Sequence, residues 1–208
     1  MKVLVSGFEA FGNSRRNSSL DTIISLPKTI GDCSINTITL PVVYGLCSKV
    51  LCSAIDAIRP DFVVSLGQAE GRGKITPEYA ALNVRHSDNA DNIGQVFKNS
   101  PIEEKGDTAY FSTIFPDKIV SQLNFDSIPA ALSFTAGTYV CNDLMYSTLS
   151  FCKPLGIRAG FIHLPLSYEI SAEENKGGSL LTLPQSVLTD GVIKSIALIA
   201  DLIANNEQ

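Results

Sequence analysis

The sequence predicts an α/β domain whose largely parallel sheet is covered by helices on both faces. Three observations point there: a length of 208 residues, short apolar runs of strand length, and amphipathic helical patterns alternating with them. A chain of this length buries a substantial core yet stays within one domain, so the expectation is a single domain over residues 1–208 with one active site. No internal repeat, low-complexity tract or Pro/Ser-rich linker divides it.

In chain order, residues 2–8, 36–40, 62–66, 130–134 and 160–164 read as buried strands. Residues 18–25, 46–58, 117–123, 142–151 and 184–204 read as helices, their apolar positions recurring at helical spacing. Residues 72–112 are the least regular part, mixing short apolar runs with Gly, Pro, Asn and Asp. In an α/β fold such a stretch is expected to supply site residues on loops at the carboxyl ends of strands.

Composition removes several classes of function. The chain is 45% hydrophobic and 18% charged with a net charge of -5, which argues against disorder and against a nucleic-acid surface. No apolar stretch reaches 18 residues, so no membrane span is expected. The opening Met1-Lys2-Val3-Leu4-Val5-Ser6-Gly7 turns polar too soon for a signal peptide, so the chain is expected to be cytoplasmic. Five cysteines without a CxxC pair, beside two histidines, suit neither a zinc site nor a disulfide framework. Free thiols and no metal are expected.

Residues 130–144 read as a strand, a Gly-containing turn and the first turn of a helix, which puts Cys141 near a helix N-terminus. Unpaired N–H groups there and the helix dipole stabilise a thiolate and could hold an oxyanion. Taken alone, the segment favours a Cys141 that merely caps a core helix, and a partner is needed to change that reading. His163 ends the apolar run Gly160-Phe161-Ile162-His163 and is expected where βα loops converge, beside Cys141 at one edge of the sheet. His86, in the polar run Arg85-His86-Ser87-Asp88-Asn89, reads as a solvated loop residue. A Cys–His pair needs a third group to fix the imidazole. Among 21 acidic residues the pattern cannot choose one, although Glu78, just beyond the third strand, stands out. Phe8 and Phe11 in Gly7-Phe8-Glu9-Ala10-Phe11-Gly12 put two rings on the loop after the first strand, as an apolar clamp or a satellite core. GxGxxG and the Walker lysine are both absent.

These residues resemble the pyroglutamyl peptidase I family of cysteine peptidases, also called pyrrolidone carboxyl peptidases, over nearly the whole chain. Gly7-Phe8-Glu9-Ala10-Phe11-Gly12 is similar to the family's GFxPFG loop, and Asn17-Ser18-Ser19 to its NPS. Leu40-Pro41-Val42-Val43-Tyr44 resembles LPVxF/Y. Leu66-Gly67-Gln68-Ala69 with Gly71-Arg72 resembles GQAGGR. Ile75-Thr76-Pro77-Glu78 with Asn83 resembles ITPERxAxN. Thr135 to Asn142 matches TAGTxVCN, and Gly160 to Pro165 matches GFIHxP.

The resemblance implies a mixed central sheet, a homo-oligomer (dimer or tetramer), no metal or organic cofactor, and peptides with N-terminal pyroglutamate as substrates. It implies Cys141 as nucleophile, His163 as acid and base, and Glu78 as the carboxylate that orients His163. Phe8 and Phe11 would pack on the pyrrolidone ring, with Asn17, Gln68 and Tyr139 at or beside the pocket. The lactam is neutral, so an apolar slot with a few amide hydrogen bonds suits it.

Four departures bear on the pocket. Ala10 stands for a Pro, Asn13 for a Gly, Ser18 for the Pro of NPS, and Glu70 for a Gly. In addition, Asp88-Asn89-Ala90-Asp91-Asn92 stands where many members have RIPDN, and Asp88 and Asn89 are expected at the pocket rim. Two other readings follow: an amidase of the same fold acting on another small acyl group, and a member that binds pyroglutamyl ligands without turning them over.

Overall fold

The computed structural model describes residues 1–176 and 181–205. In chain order its elements are β1 (Lys2–Phe8), α1 (Ser18–Ser25), β2 (Thr29–Ile30), β3 (Cys33–Leu40), α2 (Leu46–Ile58), β4 (Phe62–Gln68), β5 (Thr76–Pro77), β6 (Ala80–Leu82), β7 (Ala109–Phe111) and α3 (Pro116–Phe125). There follow α4 (Val140–Cys152), a 3-10 turn (Lys153–Leu155), β8 (Arg158–Leu164), β9 (Leu166–Ser167), α5 (Tyr168–Glu173), β10 (Thr182–Leu183) and α6 (Gln185–Ala204).

The central sheet runs β2-β3-β1-β4-β8-β5. Its four inner strands are parallel, and the two short outer ones pair antiparallel, so the sheet is mixed and mostly parallel. Strand side chains alternate between faces. Val3, Val5, Phe62, Val64, Leu66, Ile162 and Leu164 pack under Ile119 and Leu123 of α3 and Leu188, Val192, Ile196 and Ile199 of α6. Leu4, Phe8, Val63 and Phe161 face the other way, onto Cys47, Leu51 and Ile55 of α2 and Leu144, Met145 and Leu149 of α4. Both faces are therefore buried, which is why these strands read as continuous apolar runs.

Helix ends follow local chemistry. Asn17 caps α1, its Oδ1 accepting from the Ser19 N–H at 2.9 Å. Gly45 and Arg59 bracket α2 in left-handed conformations.

The expected strand at 130–134 is not a strand of the central sheet. Ala130 and Ser133 each form a single parallel bridge, to Ile75 and Glu78. The Ala131 N–H donates to the Ile75 carbonyl, the Ser133 N–H to that of Pro77, and the Tyr79 N–H to that of Ser133. The ladder lacks the rung that Pro77 would have to donate, because proline has no N–H. Phe134, at the end of that run, is 71% exposed.

Candidate active site

Cys141 is the second residue of α4, following Val140 and an extended Tyr139. The N–H groups of Val140 and Cys141 precede the first intrahelical bonds, which leaves them available to a ligand. The thiol is partly buried and lies against Gly67 of β4. Gly67 is the register partner of His163 on β8, so pairing of two neighbouring strands sets the histidine beside the cysteine. Both line one open cavity of about 570 Å³ with Phe11, Gln68, Glu70, Tyr139 and Lys176.

Glu78 follows β5, whose Thr76 pairs with His163. Its N–H donates to the Phe161 carbonyl at 2.9 Å, and its side chain is fully buried, unlike the solvated surface carboxylate a loop position suggests. His163 Nδ1 lies 2.6 Å from Glu78 Oε1. An ionised carboxylate only accepts, so Nδ1 carries the proton and Nε2 is left with its lone pair. The Phe161 ring packs on the imidazole with centroids 4.7 Å apart.

Burial pushes the Cys141 thiol up to about 12, with the charge of Glu78 adding to it and Arg72 and the residue's own N–H opposing it. Burial likewise pushes His163 down, against the raising effect of Glu78. Both shifts favour a neutral thiol beside a neutral imidazole, in contrast to the thiolate that the helix N-terminus alone favours. Burial would push Glu78 up, but the hydrogen bond and charge of His163, then Ser133 and Arg72, hold it below the usual carboxylate range.

A narrow slot opens off the cavity beside Cys141. It is lined by Phe8, Phe11, Asn17, Val42, Gln68, Tyr139, Val140 and Cys141, so all five residues proposed for substrate contact meet there. Not all have free polar atoms. Asn17 Oδ1 accepts from the N–H and Oγ of Ser19, and its Nδ2 donates to the Glu9 carbonyl at 3.0 Å. Gln68 Oε1 accepts from the N–H and Oγ of Ser18 at 2.8 and 3.0 Å, which points its Nε2 away, toward Glu70 at 3.5 Å. A proline at 18 has no N–H to make that first bond. Tyr139 Oη donates to the Ala90 carbonyl at 2.8 Å.

Asp88 and Asn89 line neither the slot nor the cavity. Both are exposed, and Asp88 pairs with Lys98. Asp91 in the same loop is buried and accepts from the N–H groups of Tyr44, Ile93 and Gln95. His86 is half-buried rather than solvated, and its backbone brackets Thr138 through two hydrogen bonds. Glu70 and Asn13 do line the cavity, and Glu70 pairs with Lys176. Sequence reasoning missed the roles of Gly67 and Arg72, since neither carries a signal of what it will touch. Among the described residues no cluster of His, Cys, Asp and Glu could hold a metal ion, and no helix is long and apolar enough to cross a membrane.

A family model described as pyroglutamyl peptidase matches residues 1–203. The chain is 41% identical over 167 residues to a pyrrolidone-carboxylate peptidase of a Thermoanaerobacter species, covering 79% of this chain and 82% of that one. It is 43% identical over 171 residues to that of Thermococcus kodakarensis, covering 81% and 83%. Among solved structures, pyroglutamyl peptidase I of Bacillus amyloliquefaciens superposes with a TM-score of 0.88 at 33% identity, covering 93% and 94% of the two chains. A mutant pyrrolidone carboxyl peptidase of Pyrococcus furiosus superposes at 0.92 with 34% identity, covering 97% and 99%.

Proposed function

Because the chain belongs to the pyroglutamyl peptidase family, and so is a hydrolase that removes N-terminal pyroglutamate from peptides, we propose that Cys141 is its nucleophile, His163 its acid and base, and Glu78 the carboxylate that fixes His163. The observation that carries this reading is the 2.6 Å contact between buried Glu78 and His163 Nδ1, which leaves Nε2 for the thiol in the shared cavity.

The pyrrolidone ring enters the slot between Phe8, Phe11, Val42 and Tyr139, which Asn17 and Gln68 also line. His163 Nε2 takes the Cys141 proton as sulfur bonds to the pyroglutamyl carbonyl carbon. The oxyanion meets the N–H groups at the start of α4. The imidazolium, stabilised by Glu78, then protonates the leaving amine, and the C–N bond breaks to give a thioester. Water attacks that thioester while His163 takes its proton, which returns to sulfur as pyroglutamate departs.

The same membership supports one catalytic domain over residues 1–208, working in the cytoplasm as a homo-oligomer. The test is steady-state hydrolysis of pyroglutamyl, prolyl and glutamyl aminocoumarin amides. The pyroglutamyl amide should be cleaved and the other two should not. Equal rates on prolyl and pyroglutamyl amides would make the protein a broader amidase, and tight binding without cleavage would make it a ligand-binding member only.

A further inference from the structure

We propose that Arg72 is a positioning residue for this hydrolysis: its guanidinium, tied to Thr76 and Glu78, keeps the Glu78 carboxylate charged and aimed at His163. The inference rests on the assignment of Glu78 as the orienting carboxylate.

The chain leaves β4 through a tight reversal in which Gly71 takes φ +85° and the Arg72 N–H donates to the Ala69 carbonyl at 3.3 Å. A φ of that sign suits glycine. The reversal sends the following segment back along β8, where Thr76 pairs with His163. Arg72 therefore comes to lie beside both. Its Nη1 donates to Thr76 Oγ1 at 2.6 Å and to Glu78 Oε1 at 2.7 Å. That carboxylate oxygen is the one His163 Nδ1 contacts, so guanidinium and imidazole converge on a single atom. The Thr76 hydroxyl in turn faces the His163 carbonyl at 3.4 Å.

Glu78 is fully buried, and a carboxylate taken from water without a partner takes up a proton rather than stay charged. A protonated Glu78 would have no charge with which to stabilise an imidazolium. A neutral His163 offers Glu78 its hydrogen bond, and its charge acts on Glu78 only once the imidazole is protonated. Among the described residues, Arg72 is the one permanent cation paired with Glu78. Its hydrogen bond lowers Glu78 and its charge lowers Cys141 and His163, so it favours an ionised carboxylate beside an unprotonated base. Arg72 lines neither slot nor cavity, so it acts through Glu78 and not on substrate.

The experiment compares wild type, R72Q, R72K, E78Q and the R72Q/E78Q double variant on a pyroglutamyl aminocoumarin amide across pH. For R72Q, kcat should fall roughly 10- to 100-fold, the loss typical when an outer partner of a metal-bound histidine–carboxylate unit is removed. KM should stay within about twofold, since the lost contact does not bind the ground state. The acid limb of kcat/KM should move to higher pH, because without Arg72 both Glu78 and His163 hold protons more readily. R72K keeps the charge but, with a shorter and differently shaped head, cannot place one nitrogen on both Thr76 Oγ1 and Glu78 Oε1 as Nη1 does, so its limb should stay with wild type while kcat drops severalfold. In the E78Q background, R72Q should add less than about a twofold loss, because the two act as one unit.

Wild-type kcat and an unmoved limb in R72Q would overturn the proposal, as would losses that multiply in the double variant. Should R72Q fail to accumulate, R72K decides: wild-type kcat, or a limb shifted to higher pH, overturns it. Near-normal activity of E78Q alone would instead remove Glu78 from the mechanism, a separate failure.

Discussion

Gly67 and Cys141 meet so closely across the gap between β4 and α4 that a Cβ on residue 67 would stand 3.1 Å from the cysteine sulfur. The same Cβ would stand 2.7 Å from Cζ of Phe161, a fully buried ring. Gly67→Ala should therefore overfill this layer and destabilise the protein by about 1–3 kcal/mol. For a chain of this size each kcal/mol lowers Tm by roughly 2–4 °C. Sulfur must also shift, so kcat should fall in the folded fraction. Calorimetry and kinetics check this together, and a variant with normal kcat would show that sulfur does not depend on that seat.

Thiol chemistry separates the cysteines into two groups. Cys33, Cys47 and Cys152 are buried, whereas Cys52 and Cys141 are partly open. Cys33 sits in β3 and not in the polar turn its neighbours suggest. Cys52 is the accessible competitor, its thiol pushed up to about 11 by burial and by Asp56 and Glu103. Both open thiols are raised, so both are protonated at neutral pH and their alkylation should accelerate as pH climbs beyond 9. Free pyroglutamate should protect Cys141 and not Cys52, and only modification of Cys141 should abolish activity. Mass mapping after limited iodoacetamide treatment reads this directly. An inactivation rate already level at pH 6.5 would show a resting thiolate–imidazolium pair instead.

The ion pair under α4 should dominate stability on that side of the sheet. Asp143 is fully buried and accepts from Arg85 Nε at 2.6 Å and from the Gly45 N–H at 2.8 Å. Arg85→Met strands a buried carboxylate, so unfolding in urea should report a loss of about 3–5 kcal/mol. A loss below about 1 kcal/mol would mean that water replaces the guanidinium, as at an exposed pair.

Phe8 and Phe11 should part company on substitution. Phe8 is 2% exposed and belongs to the core, so Phe8→Ala should cost about 3–5 kcal/mol in addition to raising KM. Phe11 is only partly buried, so Phe11→Ala should raise KM severalfold with Tm nearly unchanged. Equal losses of stability in the two variants would place Phe11 in the core as well.

What the sequence made legible was whatever depends on near neighbours. The ends of α1 and α2 were readable because Asn17 and Gly45 act locally, and β1 and β8 because both faces of these strands are covered. The run at 130–134 misled because its apolar content looks like a strand, while the rung missing at Pro77 lies more than fifty positions away. Glu78 could be found only by resemblance, since its burial is imposed by β8, with His163 lying 85 positions further along the chain. The rim positions expected for Asp88 and Asn89 failed for a related reason: the loop is pinned through Asp91 and Thr138, which turns its charged tip outward to Lys98.

The strand order β3-β1-β4-β8 also sets when the enzyme can first act during its own synthesis. The strands β1, β3 and β4, with α1 and α2, come from the first third of the chain and can associate early, because their crossovers are short. The imidazole comes later, on a strand that must travel back across the intervening segment to join β4, a long-range closure that is intrinsically slow. A chain arrested before β8 would carry Cys141 and every residue of the slot but not His163. If His163 is the base, such a chain should not hydrolyse pyroglutamyl amides until the last inner strand is added.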